Sequence, residues 1–175
     1  MKPDVKDYLE LYLKPGEIIL TDKASAITTV LGSCVSVTMF SPQVRLSAIC
    51  HNLLPACKNG SACSGSCPEA FRYVECTIRR MAQEFSVRGI DQAGIEVKLF
   101  GGSDMFEPCG GGNKALTIGK QNIETALKIL GELGLRIAAF DTGGKRGRKI
   151  VFHTHNGEVY LKRLSKTDIK ECCSG

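Results

Sequence analysis

The sequence predicts a mixed α/β (α+β) fold that occupies one domain, residues 1–175. Three observations support this prediction. About eight short runs alternate apolar with polar side chains or are rich in β-branched residues, as strands are. Two longer runs repeat apolar side chains at helical spacing. The chain has 175 residues, of which 43% are hydrophobic, and this is enough to bury one core of ordinary size.

Extended runs and turn residues place the strands in chain order. A lead-in segment, residues 1–15, fits either a short helix or an extended run over residues 4–14 and ends at Pro15-Gly16. Asn156-Gly157 lies between the last two runs and is a strong hairpin signal. The tail, residues 166–175, is expected to be loosely held. The predicted strands are residues 17–21, 26–31, 35–40, 44–51, 95–100, 135–140, 149–154 and 158–164.

Two helices are predicted from apolar side chains that recur every three or four residues. The first covers residues 68–85, with Pro68 suited to its first turn and Gly89 beyond its end. The second covers residues 118–133 and is followed by Gly134. Each apolar stripe is expected to face the core. The stripes are Phe71, Val74, Ile78, Met81 and Phe85 in the first helix, and Ile123, Ala126, Leu127, Leu130 and Leu133 in the second.

A predicted hairpin carries the residues with the clearest chemistry. Cys34 follows two small residues, Gly32 and Ser33, and lies at the head of a half-buried strand predicted over residues 35–40. A second alternating run, residues 44–51, follows a turn and ends in a histidine. We therefore expect the cysteine to lie where a turn becomes a strand, with its thiol exposed and backbone amides near it.

The register of this hairpin follows from its apolar face. If paired residue numbers sum to 85, one face is wholly apolar, whereas a sum of 84 would place Arg45 on it. The register of 85 predicts a four-residue loop, residues 41–44. It also puts Cys34 directly opposite His51, with their Cβ atoms roughly 4.5–5.5 Å apart.

Cys34 and His51 are the candidate nucleophile and base for hydrolysis of a carbonyl compound. A thiolate attacks a carbonyl carbon, and an imidazole can take the thiol proton and later protonate the leaving group. The backbone amides of Ser33 and Cys34 are candidate oxyanion donors, with Gly32 allowing close approach of a ligand. Taken alone, a cysteine is more often a core residue and a strand histidine is more often structural. The predicted pairing of the two, together with the sequence motifs that surround them, favours a catalytic site.

Composition excludes several classes of function. The net charge of +5 suits either an acidic protein partner or ordinary solubility, and no nucleic-acid-binding motif accompanies it. No apolar run approaches the ~20 residues that a membrane helix needs, and the N-terminus has no apolar signal segment. Nine cysteines that follow no disulfide-scaffold pattern favour reduced thiols. We expect a cytoplasmic protein that does not insert into a membrane.

A loop rich in cysteine, glycine and serine, residues 56–68, follows the hairpin. Its cysteines are Cys57, Cys63 and Cys67. They are spaced more widely than the ligands of structural zinc sites, so a flexible loop that contacts the substrate is favoured over a metal site. His153 and His155 lack an evident third ligand and are interpreted as surface residues, and residues 110–112 do not form a phosphate-binding motif. Neither a metal nor a cofactor is predicted.

Five short motifs in this sequence resemble, in order, those of the CheD family of chemoreceptor glutamine deamidases. The resemblance extends over about residues 17–164, most of the chain. The motifs are Thr28-Thr29-x-Leu31-Gly32-Ser33-Cys34-Val35, His51 with Leu54-Pro55, Phe100-Gly101-Gly102, Ile118-Gly119-x-x-Asn122, and Gly143-Gly144-x-Arg146-Gly147-Arg148.

The resemblance implies both a reaction and the residues that perform it. The catalytic cysteine, histidine and threonine of the family carry over to Cys34, His51 and Thr28, with separations of 6 and 17 residues that agree with the family. The implied enzyme converts glutamine side chains in the helical cytoplasmic domains of chemoreceptors to glutamate, through a thioester and with release of ammonia. Thr28 would orient the imidazole or give other polar support. The implied fold is a sandwich of mixed β-sheets flanked by helices, like that of cytotoxic-necrotizing-factor-type deamidases.

Two other functions are alternatives. CheD relatives also partner a CheC-type chemotaxis phosphatase, so the chain could act as an adaptor, with or without catalysis. A set of Cys34, His51 and Thr28 favours the enzyme, because binding alone needs no thiol–imidazole pair. Thiol hydrolysis of another amide or ester is the third interpretation. The basic segment, residues 145–149, either meets the acidic face of a receptor helix or is a solvated turn.

Overall fold

The computed structural model describes residues 8–57, 67, 69–104 and 116–165, which form two β-sheets and a layer of helices. The strands are β1 (Leu9–Tyr12), β2 (Ile18–Thr21), β3 (Ser25–Leu31), β4 (Val35–Ser41), β5 (Leu46–Cys50), β6 (Glu96–Gly101), β7 (Ile137–Thr142), β8 (Arg148–His153) and β9 (Val159–Arg163). The helices are α1 (Val74–Ser86) and α2 (Ile118–Glu132), with 3-10 turns at Ala70–Arg72 and Gln92–Gly94.

The two sheets are stacked face to face. The central sheet has the strand order β2-β5-β4-β6-β7, and the outer sheet has the order β1-β3-β8-β9. Helices α1 and α2 pack on one face of the central sheet, where Ile78 and Leu130 share a core with Val37. The outer sheet covers the opposite face, where Ile27 and Phe152 belong to a second core. The prediction of a mixed α+β fold is confirmed.

Strand β4 is buried along its whole length, which corrects the expectation of a half-buried strand. Val35 and Val37 belong to the core under the helices, whereas Phe40 belongs to the core under the outer sheet. The alternating pattern therefore identified two faces of the strand. It did not show that a second sheet covers the face that carries Ser36 and Thr38.

The β4–β5 hairpin has a different register from the predicted one. Met39 pairs with Ala48, so paired residue numbers sum to 87 rather than 85. The loop is residues 42–45, again four residues long, and Arg45 adopts a left-handed backbone conformation with φ 55°. A shift by two residues returns every side chain to the same face, so the apolar-face argument cannot separate 85 from 87. The prediction that Cys34 lies directly opposite His51 is wrong.

Several element boundaries also differ from the prediction. The lead-in contains a strand, β1, which pairs in parallel with β3. Helix α1 begins at Val74 because Tyr73 is extended, and Phe71 is therefore 38% exposed instead of lying in the apolar stripe. Leu127 of α2 is 49% exposed. Most of the loop at residues 56–68 and all of the tail at residues 166–175 lie outside the described residues. No helix in the described ranges is long and apolar enough to cross a membrane.

A buried ion pair ties the end of β7 to β8. The guanidinium of Arg148, which is fully buried, lies 2.6 Å from Asp141 Oδ1 and also donates to the carbonyls of Asp141 and Gly143. Arg163 pairs with Asp141 Oδ2 at 2.6 Å. The N–H of Gly143 donates to the carbonyl of Gly101 at the end of β6. These contacts hold the turn between β7 and β8 beside the end of the central sheet.

Replacing Arg148 with methionine is expected to lower the free energy of unfolding by about 3–5 kcal/mol, the usual effect of breaking a buried ion pair. Methionine fills most of the space but leaves buried carbonyl oxygens without their donor. Arg163→Met is the matched control, because this side chain contacts the same carboxylate but is 46% exposed. Its expected cost is below about 1 kcal/mol. Urea unfolding measures both variants, and equal losses would contradict the structural role of Arg148.

Candidate active site

The turn between β3 and β4 places Cys34 at one end of the central sheet, where its side chain is partly exposed. The carbonyl of Gly32 accepts from Ser103 N at 2.9 Å, and that of Cys34 accepts from Gly102 N at 2.8 Å. These contacts require glycine at the end of β6, because a Cβ at Gly101 would lie 2.2 Å from Cys34 O. The Phe-Gly-Gly motif thus supports the backbone of the cysteine turn.

His51 is 2% exposed, and a hydrogen-bond chain fixes its ring. Nδ1 lies 2.7 Å from Thr29 Oγ1, and the Thr29 hydroxyl donates to Leu13 O at 2.8 Å. A hydroxyl has one proton, and this proton is directed at Leu13, so Nδ1 of the neutral imidazole carries the hydrogen and donates to Thr29. Nε2 is then the basic nitrogen. The backbone is held as well, since His51 N donates to Glu17 O at 3.1 Å.

Cys34 and His51 are diagonal neighbours across the sheet rather than direct partners. The bridge between Val35 and Asn52 continues the register of 87, so Ser36 is the residue opposite His51. Diagonal neighbours lie about 7–8 Å apart, with their Cβ atoms somewhat closer. Both side chains are on the face that the outer sheet covers. Although both residues are described, no hydrogen bond joins their side chains, which is common in ligand-free sites.

Burial sets the protonation of both groups. Burial lowers the pKa of His51 to about 4, against weaker opposing effects of the Leu13 carbonyl and the Glu17 carboxylate. Burial also raises the pKa of Cys34, and the backbone amide of Cys34 itself opposes this rise. At neutral pH the resting site therefore holds a thiol and a neutral imidazole rather than an ion pair. His51 can act as a base during attack, but it does not hold a thiolate beforehand.

The two threonines of β3 lie on opposite faces of the outer sheet. Thr29 alternates with Ile27 and Leu31 in the buried series, while Thr28 faces the other way and is only partly buried. The structure thus places Thr29, and not Thr28, in contact with His51. The catalytic role of Thr28 stays a prediction. The apolar neighbours of Thr29 are the sequence signal that could have identified it as the inward-facing threonine.

An asparagine of α2 reaches the cysteine turn. Asn122 is fully buried, and its amide donates to the carbonyls of Ser33 and Leu53, each at 3.0 Å. It therefore links the turn before the nucleophile to the segment after the histidine. Helix α2 comes this close because Gly119 has no side chain, and a Cβ there would lie 2.6 Å from Gly102 O. The motif of Asn122 was evident in the sequence, but its contacts depend on tertiary packing.

The basic segment, residues 145–149, lies beside the site but is less charged at the surface than predicted. Its Arg148 is buried in the ion pair with Asp141. The preceding residue, Gly144, accepts from Asp104 N at 2.7 Å, close to the backbone that supports the cysteine turn. The exposed basic members are Lys145, Arg146 and Lys149.

The two remaining histidines belong to an aromatic cluster at the other end of β8. The ring centroids of His153 and His155 are 5.8 Å apart, and the rings of Tyr160 and Tyr8 pack against them. Both histidines are partly exposed and lie beside the turn between β8 and β9, as predicted for surface residues near this turn. Within the described part of the chain, no group of three or more His, Cys, Asp and Glu side chains is arranged to hold a metal ion.

Comparisons with known proteins add an independent observation. The sequence profile of the family described as "CheD chemotactic sensory transduction" matches residues 53–163. A Geobacter sulfurreducens protein named "Probable chemoreceptor glutamine deamidase CheD 2" is 48% identical over 158 residues, 90% of this chain and 92% of that protein. Proteins named "Probable chemoreceptor glutamine deamidase CheD" are similar too. The one from Maridesulfovibrio salexigens is 35% identical over 172 residues (95% of this chain, 98% of that protein), and the one from Oleidesulfovibrio alaskensis is 38% identical over 162 residues (89% and 73%). The profile match begins after Cys34 and His51, so it does not depend on that pair.

Proposed function

Because the chain belongs to the CheD family, we propose that it is a chemoreceptor glutamine deamidase with Cys34 as nucleophile and His51 as base. One observation carries the chemical assignment. The hydrogen-bond chain from Leu13 through Thr29 fixes the tautomer of His51 and leaves its basic nitrogen on the face that also holds Cys34. A protein that acted only as an adaptor would need neither a fixed tautomer nor a thiol beside it.

The reaction proceeds in two halves. His51 Nε2 takes the thiol proton as Cys34 Sγ attacks the side-chain amide carbon of glutamine, so that a C–S bond forms and the carbonyl electrons move to oxygen. When this tetrahedral intermediate collapses, the C–N bond breaks, and His51 returns its proton to the nitrogen, which departs as ammonia. Water, deprotonated by His51, then attacks the thioester. The C–S bond breaks, glutamate forms, and Cys34 recovers the proton.

The surroundings of Cys34 favour a glutamine within a protein over the free amino acid. Exposed apolar side chains lie just before α1, and just before and at the start of α2, the helix that contacts the cysteine turn through Asn122. They are Ile118, Leu116 and Phe71. Apolar contacts of this kind can bind the surface of a receptor helix and orient the amide from a distance. The exposed basic side chains of residues 145–149 would meet acidic side chains on that helix.

The proposal is tested with the cytoplasmic fragment of a chemoreceptor. We expect mass spectrometry to detect conversion of specific glutamines to glutamate, with one ammonia released for each conversion. Free glutamine at the same amide concentration should give almost no ammonia. Added salt should weaken the reaction through binding, because it screens the basic segment. Equal rates with both substrates would indicate a small-molecule amidase, and unchanged glutamines in the fragment would reject the proposal.

A pair of matched substitutions separates the two threonines of β3. Thr29→Val should lower kcat about tenfold to a hundredfold, as part of the ~10²–10⁴ that a general base supplies, because the imidazole loses the partner of Nδ1. The same change in Thr28→Val should have a smaller effect, since this side chain faces away from His51. Steady-state kinetics with the receptor fragment measures both. A larger loss in Thr28→Val would support the role that the family resemblance implies and contradict the orienting role of Thr29.

The same proposal includes a cellular location, a structural likeness and a second protein partner. A cytoplasmic location is supported by the need to keep the Cys34 thiol reduced. A likeness to cytotoxic-necrotizing-factor-type deamidases is supported by the stacked mixed sheets with helices on one face. Binding of a CheC-type phosphatase stays a prediction, and co-purification of the two proteins would test it.

A further inference from the structure

All three carbonyl groups of the cysteine turn are hydrogen-bonded within the protein. The backbone just after β6 supplies the donors for Gly32 and Cys34, at 2.9 and 2.8 Å. The donor for Ser33 is a side chain, Asn122 Nδ2 at 3.0 Å. The central peptide of the turn is thus held by a residue that a single substitution can remove.

The contact of Asn122 fixes the peptide plane that joins Ser33 to Cys34. A trans peptide directs its C=O and N–H in opposite directions, and the described residues contain no cis peptide. With the Ser33 carbonyl directed at Asn122, the Cys34 N–H points to the other side. Apart from the sulfur of Cys34 itself, no atom of the described residues accepts a hydrogen bond from this N–H. An N–H beside the attacking sulfur, already oriented and without another acceptor, suits an oxyanion.

The burial of Asn122 indicates more than a packing role. Both hydrogens of its amide are used, on Ser33 and Leu53, but Oδ1 has no partner among the described residues. A buried oxygen without a partner destabilises the folded state, so this oxygen does not account for the presence of asparagine here. The amide instead provides two donors in a fixed arrangement, one on each side of the site.

We propose that Asn122 is a positioning residue that aims the Cys34 N–H at the oxyanion formed when Cys34 attacks the glutamine amide. Asn122 acts through the Ser33–Cys34 peptide and does not touch the substrate. The inference rests on the proposed function, because the deamidase reaction is what generates this oxyanion. It adds a residue of α2 to a site otherwise built from β3, the turn that follows it and the residue after β5.

Two reactions of the same thiol separate oxyanion stabilisation from thiol reactivity. Acylation of Cys34 by p-nitrophenyl acetate passes through a tetrahedral oxyanion, releases p-nitrophenolate and leaves an acetyl thioester. Alkylation by iodoacetamide displaces iodide at a saturated carbon and forms no oxyanion. Mass spectrometry of the peptide that contains Cys34 follows each reaction separately from the other cysteines.

Asn122→Leu keeps nearly the same shape without the donors, and Asn122→Ala is a second, smaller variant. In both we expect Cys34 acylation to fall at least about tenfold, while the alkylation rate and its pH profile stay unchanged. With a receptor fragment, kcat should fall by a similar factor and KM should change little. Leu130→Ala is the matched control, because it truncates a buried side chain of the same helix, about two turns beyond Asn122. Its ratio of acylation to alkylation should stay that of the wild type.

The outcomes distinguish this inference from the proposed function. An unchanged ratio of acylation to alkylation in both Asn122 variants would overturn the inference, even if the wild type deamidates the receptor. An equal fall of the ratio in Leu130→Ala would also overturn it, because general destabilisation would then be the cause. If the ratio falls only in the Asn122 variants but the wild type leaves receptor glutamines unchanged, the role of Asn122 stands and the proposed function fails.

Discussion

Removal of the Cys34 thiol is expected to abolish deamidation. In Cys34→Ala, the rate of ammonia release from a receptor fragment should fall at least ~10⁴-fold, since loss of a hydrolase nucleophile costs up to ~10⁶. The fold should survive, because the side chain is small and partly exposed. Cys34→Ser should fail as well, because a hydroxyl with the same base is a far poorer nucleophile. Ammonia release measures the loss, and circular dichroism with thermal unfolding checks the fold.

The matched control for this variant is Cys76→Ala. Cys76 lies on α1, outside the cysteine turn, and its side chain is also partly exposed. We expect this variant to deamidate the fragment at the wild-type rate. Comparable turnover by Cys34→Ala, or equal losses in the two variants, would contradict the assignment of Cys34 as the nucleophile.

The hairpin illustrates how far a local sequence pattern determines a site. Alternation placed Cys34 at the head of a strand and His51 at the end of its partner, and both positions agree with the structure. The register was wrong by two residues, because side-chain alternation has a period of two and is unchanged by such a shift. The loop of the observed register is residues 42–45, and its Arg45 adopts a left-handed conformation that a non-glycine residue seldom takes and that alternation does not predict.

Long-range packing accounts for what the sequence could not predict. Gly101, Gly102 and Gly119 were recognisable as motif residues, but their shared role is to let α2 and the end of β6 approach the cysteine turn. Only that approach brings Asn122 within reach of the Ser33 carbonyl. Residues so far apart along the chain leave no periodic signal, so their contact cannot be inferred from one sequence.

The two threonines show a different limit. The family resemblance supplies a position six residues before the cysteine, which is Thr28. The burial alternation of β3 supplies a face, and this face belongs to Thr29 together with Ile27 and Leu31. The alternation of apolar residues along β3 can be recognised in the sequence. The sequence does not show which face of β3 contacts His51, because this depends on the stacking of two sheets.

Truncation of His51 is expected to have the second largest effect. His51→Ala removes the base that takes the thiol proton and the acid that protonates the departing ammonia, so kcat should fall about 10²–10⁴-fold. Because the ring is buried and bonded to Thr29, the variant also loses packing. His51→Gln is therefore a second variant, whose amide can still donate to Thr29. We expect it to be as inactive as His51→Ala but closer to wild type in thermal unfolding.

The pH dependence distinguishes a base that acts during attack from a preformed ion pair. His51 must be neutral to accept a proton, and its pKa of about 4 places the acid limb of deamidation near pH 4, well below the ordinary histidine value of about 6.5. Activity should be lost as the pH falls through that limb and should be flat above it until Cys34 ionises.

Burial raises the pKa of Cys34 without a contribution from His51. Alkylation by iodoacetamide should therefore be slow at neutral pH and should have the same pH profile in wild type and His51→Ala. Alkylation could instead be already maximal at neutral pH in the wild type and much slower in His51→Ala. That result would reveal a thiolate–imidazolium pair and contradict the assignment of a thiol and a neutral imidazole to the resting site.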